Sequence, residues 1–515
     1  MTAEQSEREA PVLIAGGGLI GLSMAMFLAQ HGIRSIAIER LRGGSPLPRA
    51  AHFHLRTIEL FRAAGIEQAV IAQSALEFLP EGAIIAMDSL SGRKLADIIP
   101  SLNAGVEEVS PCRRLFVSQP GLEPILRRQA QEAGATLVEG VEVTGIEQDD
   151  DGVTVQTTDR AFRGRYLVGA DGAHSTVREL LGIPFEGRGV FSNSITIYFT
   201  ADLWPQLGDK PLSVIYINNP TFGGFFRVNR DCQAGFLVVN TVGDPTTNPD
   251  TANAAADVSE ERLVALVRAG VGVADLPVRI DGVARWRAVS DVARRYRDGR
   301  VFLAGDAAHL MPPNGGFGGN TGIHDAYNLA WKLAYVLDGA AGDGLLDSYE
   351  SERLPVGRFT VEQAYTRYVT RTATYLGATD FQPLVPDFNV ELGYVHHSHA
   401  VIGDDPDQIH MDPRETRAAP GTRAPHVWLE GEGGGRISTL DLFGHAMVLL
   451  TTDPTAWQVL PVEVHAVDGG VASAYDIHDG GAVLVRPDGV VAWRGSREAG
   501  TGGLGQALRA VLARR

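Results

Sequence analysis

Val12-Leu13-Ile14-Ala15-Gly16-Gly17-Gly18-Leu19-Ile20-Gly21 begins as a short apolar run, breaks into glycines, and leads into Leu19 to Gln30, a helix-forming apolar stretch that stops at His31-Gly32. Ile33 to Ile38 then reads as a second buried strand with Glu39 at its end. Strand, glycine turn, helix and strand in that order make a βαβ unit, which implies a parallel sheet. The spacing Gly16-x-Gly18-x-x-Gly21 has a physical use there. The first glycine makes the sharp turn, the second lets the backbone approach a pyrophosphate, and the third lets helix and strand lie close. The helix N-terminus then faces the phosphate charge. Glu39 follows Gly21 by 18 residues, where a carboxylate accepts hydrogen bonds from both ribose hydroxyls and repels a 2′-phosphate. The unit is therefore expected to hold a dinucleotide with free ribose hydroxyls, FAD or NAD rather than NADP.

Around this unit, 515 residues are too many for one ordinary core and favour two or three domains. The 60 glycines are above the usual share and point to tight turns or loops that lie against a cofactor. A net charge of −17 argues against a nucleic-acid partner, which needs a basic face. Cys112 and Cys232 stand far apart and outside any C-x-x-C, which argues against a disulfide framework, a thiolate zinc site or a dithiol redox motif. No metal site is expected, and a reducing, cytoplasmic setting fits. Met1 to Ala10 is polar and acidic, unlike a signal peptide, and reads as a loose tail. No apolar run reaches about 18 residues, so no membrane span is expected.

Arg56 to Ala64 and Leu122 to Ala133 carry helical apolar spacing and read as sheet-covering helices. From about Phe191 to Arg287 alternating, aromatic-rich strands take over, among them Ile195 to Phe199 and Gly224 to Val228, as in a sheet inserted between two cofactor-binding parts. A long helical stretch follows from about Gly322 to Val336. The tail from about Gly421 to Arg515 has strands at Ala446 to Leu450 and Val462 to Val467 and a closing helix near Gly505 to Leu512. Between them lies a hairpin, Val483-Leu484-Val485 and Val490 to Trp493, about Pro487-Asp488-Gly489. This is a third, small α/β domain.

Two further buried strands each deliver an aspartate beside a glycine: Tyr166-Leu167-Val168-Gly169-Ala170-Asp171-Gly172 and Val301-Phe302-Leu303-Ala304-Gly305-Asp306. With the N-terminal glycines, in this order and over about residues 10 to 370, they resemble the motifs of the group A flavoprotein monooxygenases, the family of p-hydroxybenzoate hydroxylase. The halogenase signature Trp-x-Trp-x-Ile is missing; Arg285-Trp286-Arg287 does not match it. In the tail, Gly421 to His426, Asp441 to Gly444 and Val485 to Gly489 resemble the thioredoxin-like domain of phenol hydroxylases and aromatic polyketide hydroxylases. Having no cysteine, this domain cannot carry disulfide chemistry, and a packing or assembly role is preferred.

The resemblance implies FAD as cofactor and NADPH as a transient reductant bound in a groove, since no second strand-linked GxGxxG occurs. It gives Asp306 to the ribityl chain and lays Pro312 to Asn320 against the isoalloxazine. A helix expected to start after Gly318-Gly319 would aim N–H groups where negative charge collects on reduction. Pro313 and Gly318 are the catalytic candidates, through their backbone. The cofactor-contact candidates are Gly16, Gly18, Gly21, Glu39, Arg40, Arg49, Gln119, Asp171, Asp306, Pro313, Gly315, Gly318, Gly319 and Asn320; Asp171 reads equally as a helix cap. Tyr198, Tyr216, Phe222 and Phe226 are candidates for the substrate pocket and equally for plain sheet core. His52 and His54 are titratable groups able to help deprotonate a phenol, but no general base is assigned.

The expected fold class is α/β. A Rossmann-like FAD-binding domain (residues 1–80, 105–185 and 285–400) carries an inserted mixed β-sheet substrate domain (81–104 and 186–284), followed by a thioredoxin-like domain without redox cysteines (410–515). The implied activity is an NAD(P)H- and O2-consuming monooxygenase, monomer or homodimer, that hydroxylates a phenolic or polycyclic, polyketide-type aromatic through a flavin C4a-hydroperoxide. An epoxidase or ring-opening oxygenase on the same scaffold, or a flavin-binding partner protein without turnover, stays open.

Overall fold

The computed structural model describes residues 8–44, 52–79, 82–208, 210, 212–242, 253–372, 379–403, 408–430, 434–457 and 462–514. β1 (Val12–Ala15), α1 (Leu19–Gln30) and β2 (Ser35–Glu39) form the expected parallel unit. After it come β3 (His52–Phe53), α2 (Leu55–Ala63), α3 (Glu67–Glu77), β4 (Ala83–Met87), β5 (Lys94–Ile99), β6 (Leu115–Phe116), α4 (Gln119–Glu132) and β7 (Thr136–Glu139). A three-stranded sheet of β8 (Val143–Gln148), β9 (Val153–Thr157) and β10 (Phe162–Gly164) precedes β11 (Tyr166–Gly169) and α5 (Thr176–Leu180).

The middle of the chain supplies β12 (Phe185–Thr200), α6 (Trp204–Leu207), β13 (Leu212–Asn218), β14 (Phe222–Val228), β15 (Ala234–Val242), α7 (Glu260–Val271) and β16 (Arg279–Ala293). Then β17 (Arg297–Asp298), β18 (Val301–Leu303) and β19 (His309–Leu310) lead to α8 (Phe317–Leu337), α9 (Asp347–Arg371) and α10 (Asp387–Leu392). The tail holds β20 (Trp428–Glu430), β21 (Arg436–Ser438), β22 (Val448–Thr451), β23 (Glu463–Ala466), α11 (Gly469–Ala474), β24 (Ala482–Val485), β25 (Val491–Gly495) and α12 (Gly500–Val511).

Three sheets organise these elements. The first has the order β17-β18-β11-β1-β2-β7, parallel apart from β17. β1, β11 and β18 are wholly buried, as strands covered on both faces must be, and α1 packs against α8. The second sheet, β19-β16-β12-β15-β14-β13-β4-β5, takes strands from both sides of the insertion. Its strand β16 runs on to Ala293, and β19 adds an edge from the segment after β18. The tail sheet, β23-β22-β24-β25, combines one parallel pair with the hairpin read from the sequence.

Strand alternation gives the second sheet two unlike faces. Ile195, Ile197, Phe199, Phe222 and Phe226 point one way and close a core with Leu263, Leu266, Val267 and Val271 of α7. Gly270 permits the contact, since a Cβ there would stand 2.6 Å from the Phe226 ring. On the other side, Phe191, Trp286 and Ala288 pack against Tyr365, Tyr368 and Val369 of α9. Among the described residues no helix is long and apolar enough to cross a membrane.

Candidate functional site

The glycine turn has the shape its spacing predicts. Gly16 adopts φ +104°, and a Cβ on Gly21 would fall 1.9 Å from the Gly16 carbonyl oxygen, so helix and turn touch through bare backbone. Gly18 is the N-cap of α1, without a side-chain cap and without an acid in the first turn. The N-terminal N–H groups of a 12-residue helix thus lack side-chain acceptors, as an anion site requires. At the end of β2, Glu39 Oε2 accepts from the Gly17 N–H at 2.7 Å and Oε1 from the Leu41 N–H at 2.8 Å. Its carboxylate is therefore fixed beside the turn. Arg40 follows it, exposed. Gln119 opens α4 and donates to Glu123 at 2.6 Å, and Glu123 lies 3.7 Å from where a Gly18 Cβ would be. Arg49 lies outside the described residues.

Of the two readings of Asp171, the cap role is filled. Its Oδ1 accepts from Ser175 Oγ at 2.6 Å and its Oδ2 from the Val177 N–H at 3.0 Å, while Ser175 caps α5. Burial raises its pKa against those hydrogen bonds. Asp306, by contrast, is exposed, and its Oδ1 lies 4.0 Å from where a Cβ on Gly318 would be. It stands between the end of β18 and the start of α8.

The loop after it differs in one detail from the sequence reading. α8 begins at Phe317, not after Gly319, so Gly318 and Gly319 belong to its first turn. The left-handed residues are Gly315 (φ +88°) and Gly316 (φ +73°), which make the bend that a helix N-cap in αL needs. α8 also starts with no side-chain cap and no acid in its first turn. Two uncapped N-termini, of α1 and α8, with the exposed Asp306 carboxylate between them, fit an extended dinucleotide with a pyrophosphate at one end and a ring that gains negative charge at the other. Pro313 is exposed at this loop, and its carbonyl accepts from the Gly316 N–H at 3.0 Å.

Asn320 is a brace. Its Nδ2 donates to the carbonyls of His52 (2.8 Å) and Gly316 (2.6 Å), and its Oδ1 accepts from the His54 N–H (2.9 Å) and Thr57 Oγ1 (2.6 Å). It ties the loop to β3 and α2 and has no free amide valence for a cofactor. His54 Nε2 pairs with the Gly315 carbonyl at 2.8 Å. Burial pushes both His52 and His54 below the ordinary histidine range, with mutual repulsion adding to it for His52. Both are neutral at pH 7.

The aromatic candidates divide by face. Phe222 and Phe226 belong to the core under α7 and leave the site. Tyr216 and Tyr198 lie on the opposite face. Tyr216 packs on Phe225, ring centroids 5.7 Å apart, and burial raises its hydroxyl pKa against the opposing influence of nearby Arg371 and of Asn314 from the loop before α8. Register sets the same face across the strands: Tyr216, Phe225 and Val238 in one row, Arg227, Phe236 and Tyr198 in the next. Phe225, Arg227 and Phe236 share this face, and the sequence reading did not single them out. Phe225 and Phe226 are adjacent and must face opposite ways, and nothing in the sequence says which face is covered by α7. Arg227 is buried, with its guanidinium 3.8 Å from the Phe78 ring centroid and 4.0 Å from that of Phe116. Phe116 in turn stacks on His52 at 4.6 Å. A groove of about 910 Å³ runs along α7, lined by residues such as Glu261, Val264 and Arg268.

The tail domain is fastened to the helices that carry this site. Glu352 on α9 accepts from Lys332 (2.8 Å) on α8 and from Arg486 (2.6 and 2.9 Å) of the tail, while Arg486 also bonds Asp488 (2.6 Å), all of them buried. Arg423 of the tail reaches Glu59 on α2 (2.5 and 2.9 Å). Cys112 and Cys232 are buried and free.

A model of the FAD binding domain matches residues 9–364, and a model of the aromatic-ring hydroxylase C-terminal domain matches residues 417–514. The chain is 47% identical to a 4-methyl-5-nitrocatechol 5-monooxygenase of Burkholderia sp, covering 98% of both chains. It is 37% identical to a tetracenomycin A2 monooxygenase-dioxygenase of Streptomyces glaucescens, over 99% of this chain and 98% of that one. Among solved structures, aklavinone-11 hydroxylase in its ternary complex with FAD and aklavinone superimposes with a TM-score of 0.89 at 35% identity, over 98% of this chain and 99% of that one. The uncapped helix ends, the glycine loop before α8 and the fastened tail domain thus sit in a chain that belongs to the FAD-dependent aromatic-ring hydroxylases, the flavin monooxygenases with this C-terminal domain.

Proposed function

We propose that the protein hydroxylates a phenolic ring using NADPH and O2, with the ring held between the flavin loop and the Tyr216 face of the second sheet. The observation that carries this is the meeting of the two parts: Asn314 of the loop stands close enough to Tyr216 of the sheet to act on its hydroxyl, and His52 Cβ lies 3.2 Å from where a Cβ on Gly316 would be. When bound, FAD supplies the redox and oxygen chemistry.

The chain's own residues orient and shield. The α8 N-terminus offers backbone N–H groups to developing negative charge, and the aromatic rows of β12 to β15 exclude water from the ring they cover. The Gly17 N–H and Leu41 N–H hold Glu39 where both ribose hydroxyls can reach it. Glu39→Gln keeps one acceptor but removes the charge, and is expected to weaken FAD binding about tenfold, or about 1–2 kcal/mol, in titrations of the apoprotein. An unchanged affinity would remove Glu39 from the cofactor site.

Activity is tested by anaerobic mixing with NADPH and by turnover under ¹⁸O2. Candidate phenols are expected to accelerate bleaching of the flavin and to leave with one labelled oxygen. If they do neither, the hydroxylase reading is wrong.

A further inference from the structure

Seven arginines of the described residues are buried, and six of them are paired with a carboxylate: Arg56 and Arg423 with Glu59, Arg114 with Glu391, Arg353 with Asp325, Arg367 with Asp387 and Arg486 with Glu352. Arg227 is the exception. It is 4% exposed, and its Nε and Nη2 have no hydrogen-bond partner among the described residues. The nearby acid, Glu77, is already engaged, accepting from the Ser118 N–H at 2.6 Å and from Gln73 at 2.7 Å. A buried guanidinium without an anion is costly, and its retention calls for a reason.

Its surroundings supply one. Phe78 and Phe116 flank the guanidinium, Phe236 and Tyr198 follow it across the sheet, and Phe225 stands two positions up the same face. Phe116 stacks on His52, which touches the flavin loop at Gly316 and whose Nε2 is also buried without a partner. Aromatic walls, one unpaired cation and one unpaired imidazole nitrogen match a flat ring carrying an oxyanion.

Building on the hydroxylase reading, we propose that Arg227 is the anion-recognition residue of the substrate site and that the substrate class is a planar phenol acidic enough to enter as its phenolate, with His52 giving a second polar contact. Burial lowers the Arg227 pKa only to about 9, so it remains charged at neutral pH. A phenolate is also the electron-rich form of the ring. Binding it repairs the unpaired charge and selects the electron-rich form of the substrate together.

The test uses the holoenzyme and two probes of similar size: 4-methyl-5-nitrocatechol, whose nitro group para to a hydroxyl makes it an anion near neutral pH, and 4-methylcatechol, which is neutral there. Binding is read from the perturbed flavin absorbance without NADPH, and turnover separately. The wild type is expected to prefer the nitrocatechol. Arg227→Met is expected to raise the nitrocatechol Kd about 30-fold or more while the methylcatechol Kd stays within about threefold. The same variant is expected to keep its FAD and to raise Tm by about 2 °C or more, because an unpaired buried charge has been replaced by an apolar chain. A mere structural clamp between two rings would instead lower Tm. Equal weakening of both probes, loss of FAD, a lowered Tm, or a wild type that does not prefer the anion each overturns the assignment. Anion-selective binding without oxygenation of any phenol would leave Arg227 its role and remove the hydroxylase reading instead.

Discussion

Glu352→Gln is expected to lower stability by about 3–5 kcal/mol and to loosen the tail domain, seen as a lower Tm and faster proteolysis after residue 410. The reason is charge balance in a place without water. Lys332 and Arg486 face Glu352 and Asp488, two cations against two anions, all buried. An amide at Glu352 leaves one cation in excess, and Arg486 loses one of the two oxygens that join it to α9 and meets an amide NH2 in its place. Replacing Lys332 and Glu352 together by methionine and leucine is expected to cost less than Glu352→Gln alone, since Arg486 and Asp488 then balance each other.

The same network fixes the response to acid. Burial would raise the Glu352 carboxyl, but Arg486 and Lys332 outweigh it and hold it well below the ordinary 4.5. Asp488 is likewise held below 3.8, burial again opposed chiefly by Arg486. Depressed carboxylates give stability that is complete above their unfolded values and is lost as pH falls below them. His396 adds an earlier loss: burial lowers it from 6.5 to about 3, so the folded state resists protonation that the unfolded chain accepts. Wild-type Tm should therefore decline in two stages, first below about pH 6.5 and more steeply below about pH 4.5. Glu352→Gln, already lower at pH 7, should keep the first stage and lose part of the second.

How much of this could be read from residues alone depends on the range of the contacts. The βαβ unit and the tail hairpin were legible because their glycines and apolar runs act on near neighbours. β1, α1 and the β24–β25 hairpin lie where the pattern puts them. The start of α8 was displaced because Gly-Gly pairs at 315–316 and 318–319 are alike in sequence, and only the fold makes the first pair left-handed and the second helical. Asn320 was read as a cofactor contact because an asparagine beside glycines fits that role, whereas its partners, His52, His54 and Thr57, are more than 260 residues away. Arg227 was not singled out at all. An arginine in a strand reads as a solvent-facing residue unless the aromatic rings that bury it, from β6 and the end of α3, are known to lie over it.

Gly18→Ala and Gly21→Ala are expected to abolish flavin retention by different routes, and the contrast separates the cofactor's path from the fold's needs. At Gly21 an added methyl would stand 1.9 Å from the Gly16 carbonyl oxygen, so α1 must move off the turn and both Tm and FAD are lost. At Gly18 the protein has room: φ is −84°, which alanine adopts freely, and the nearest atom to an added Cβ is Glu123 Oε1 at 3.7 Å. The apoprotein should therefore keep its Tm within about 2 °C, because helix N-caps tolerate alanine at a cost of only about 1 kcal/mol in a chain of this size. Yet the methyl projects from the uncapped end of α1, where the pyrophosphate must come against backbone N–H groups. FAD affinity should fall by about 100-fold, or roughly 3 kcal/mol. Purification of a colourless, folded Gly18→Ala protein would place the pyrophosphate at this helix end. A yellow one with wild-type affinity would mean that the dinucleotide passes elsewhere, and that the open space at Gly18 serves something other than the cofactor.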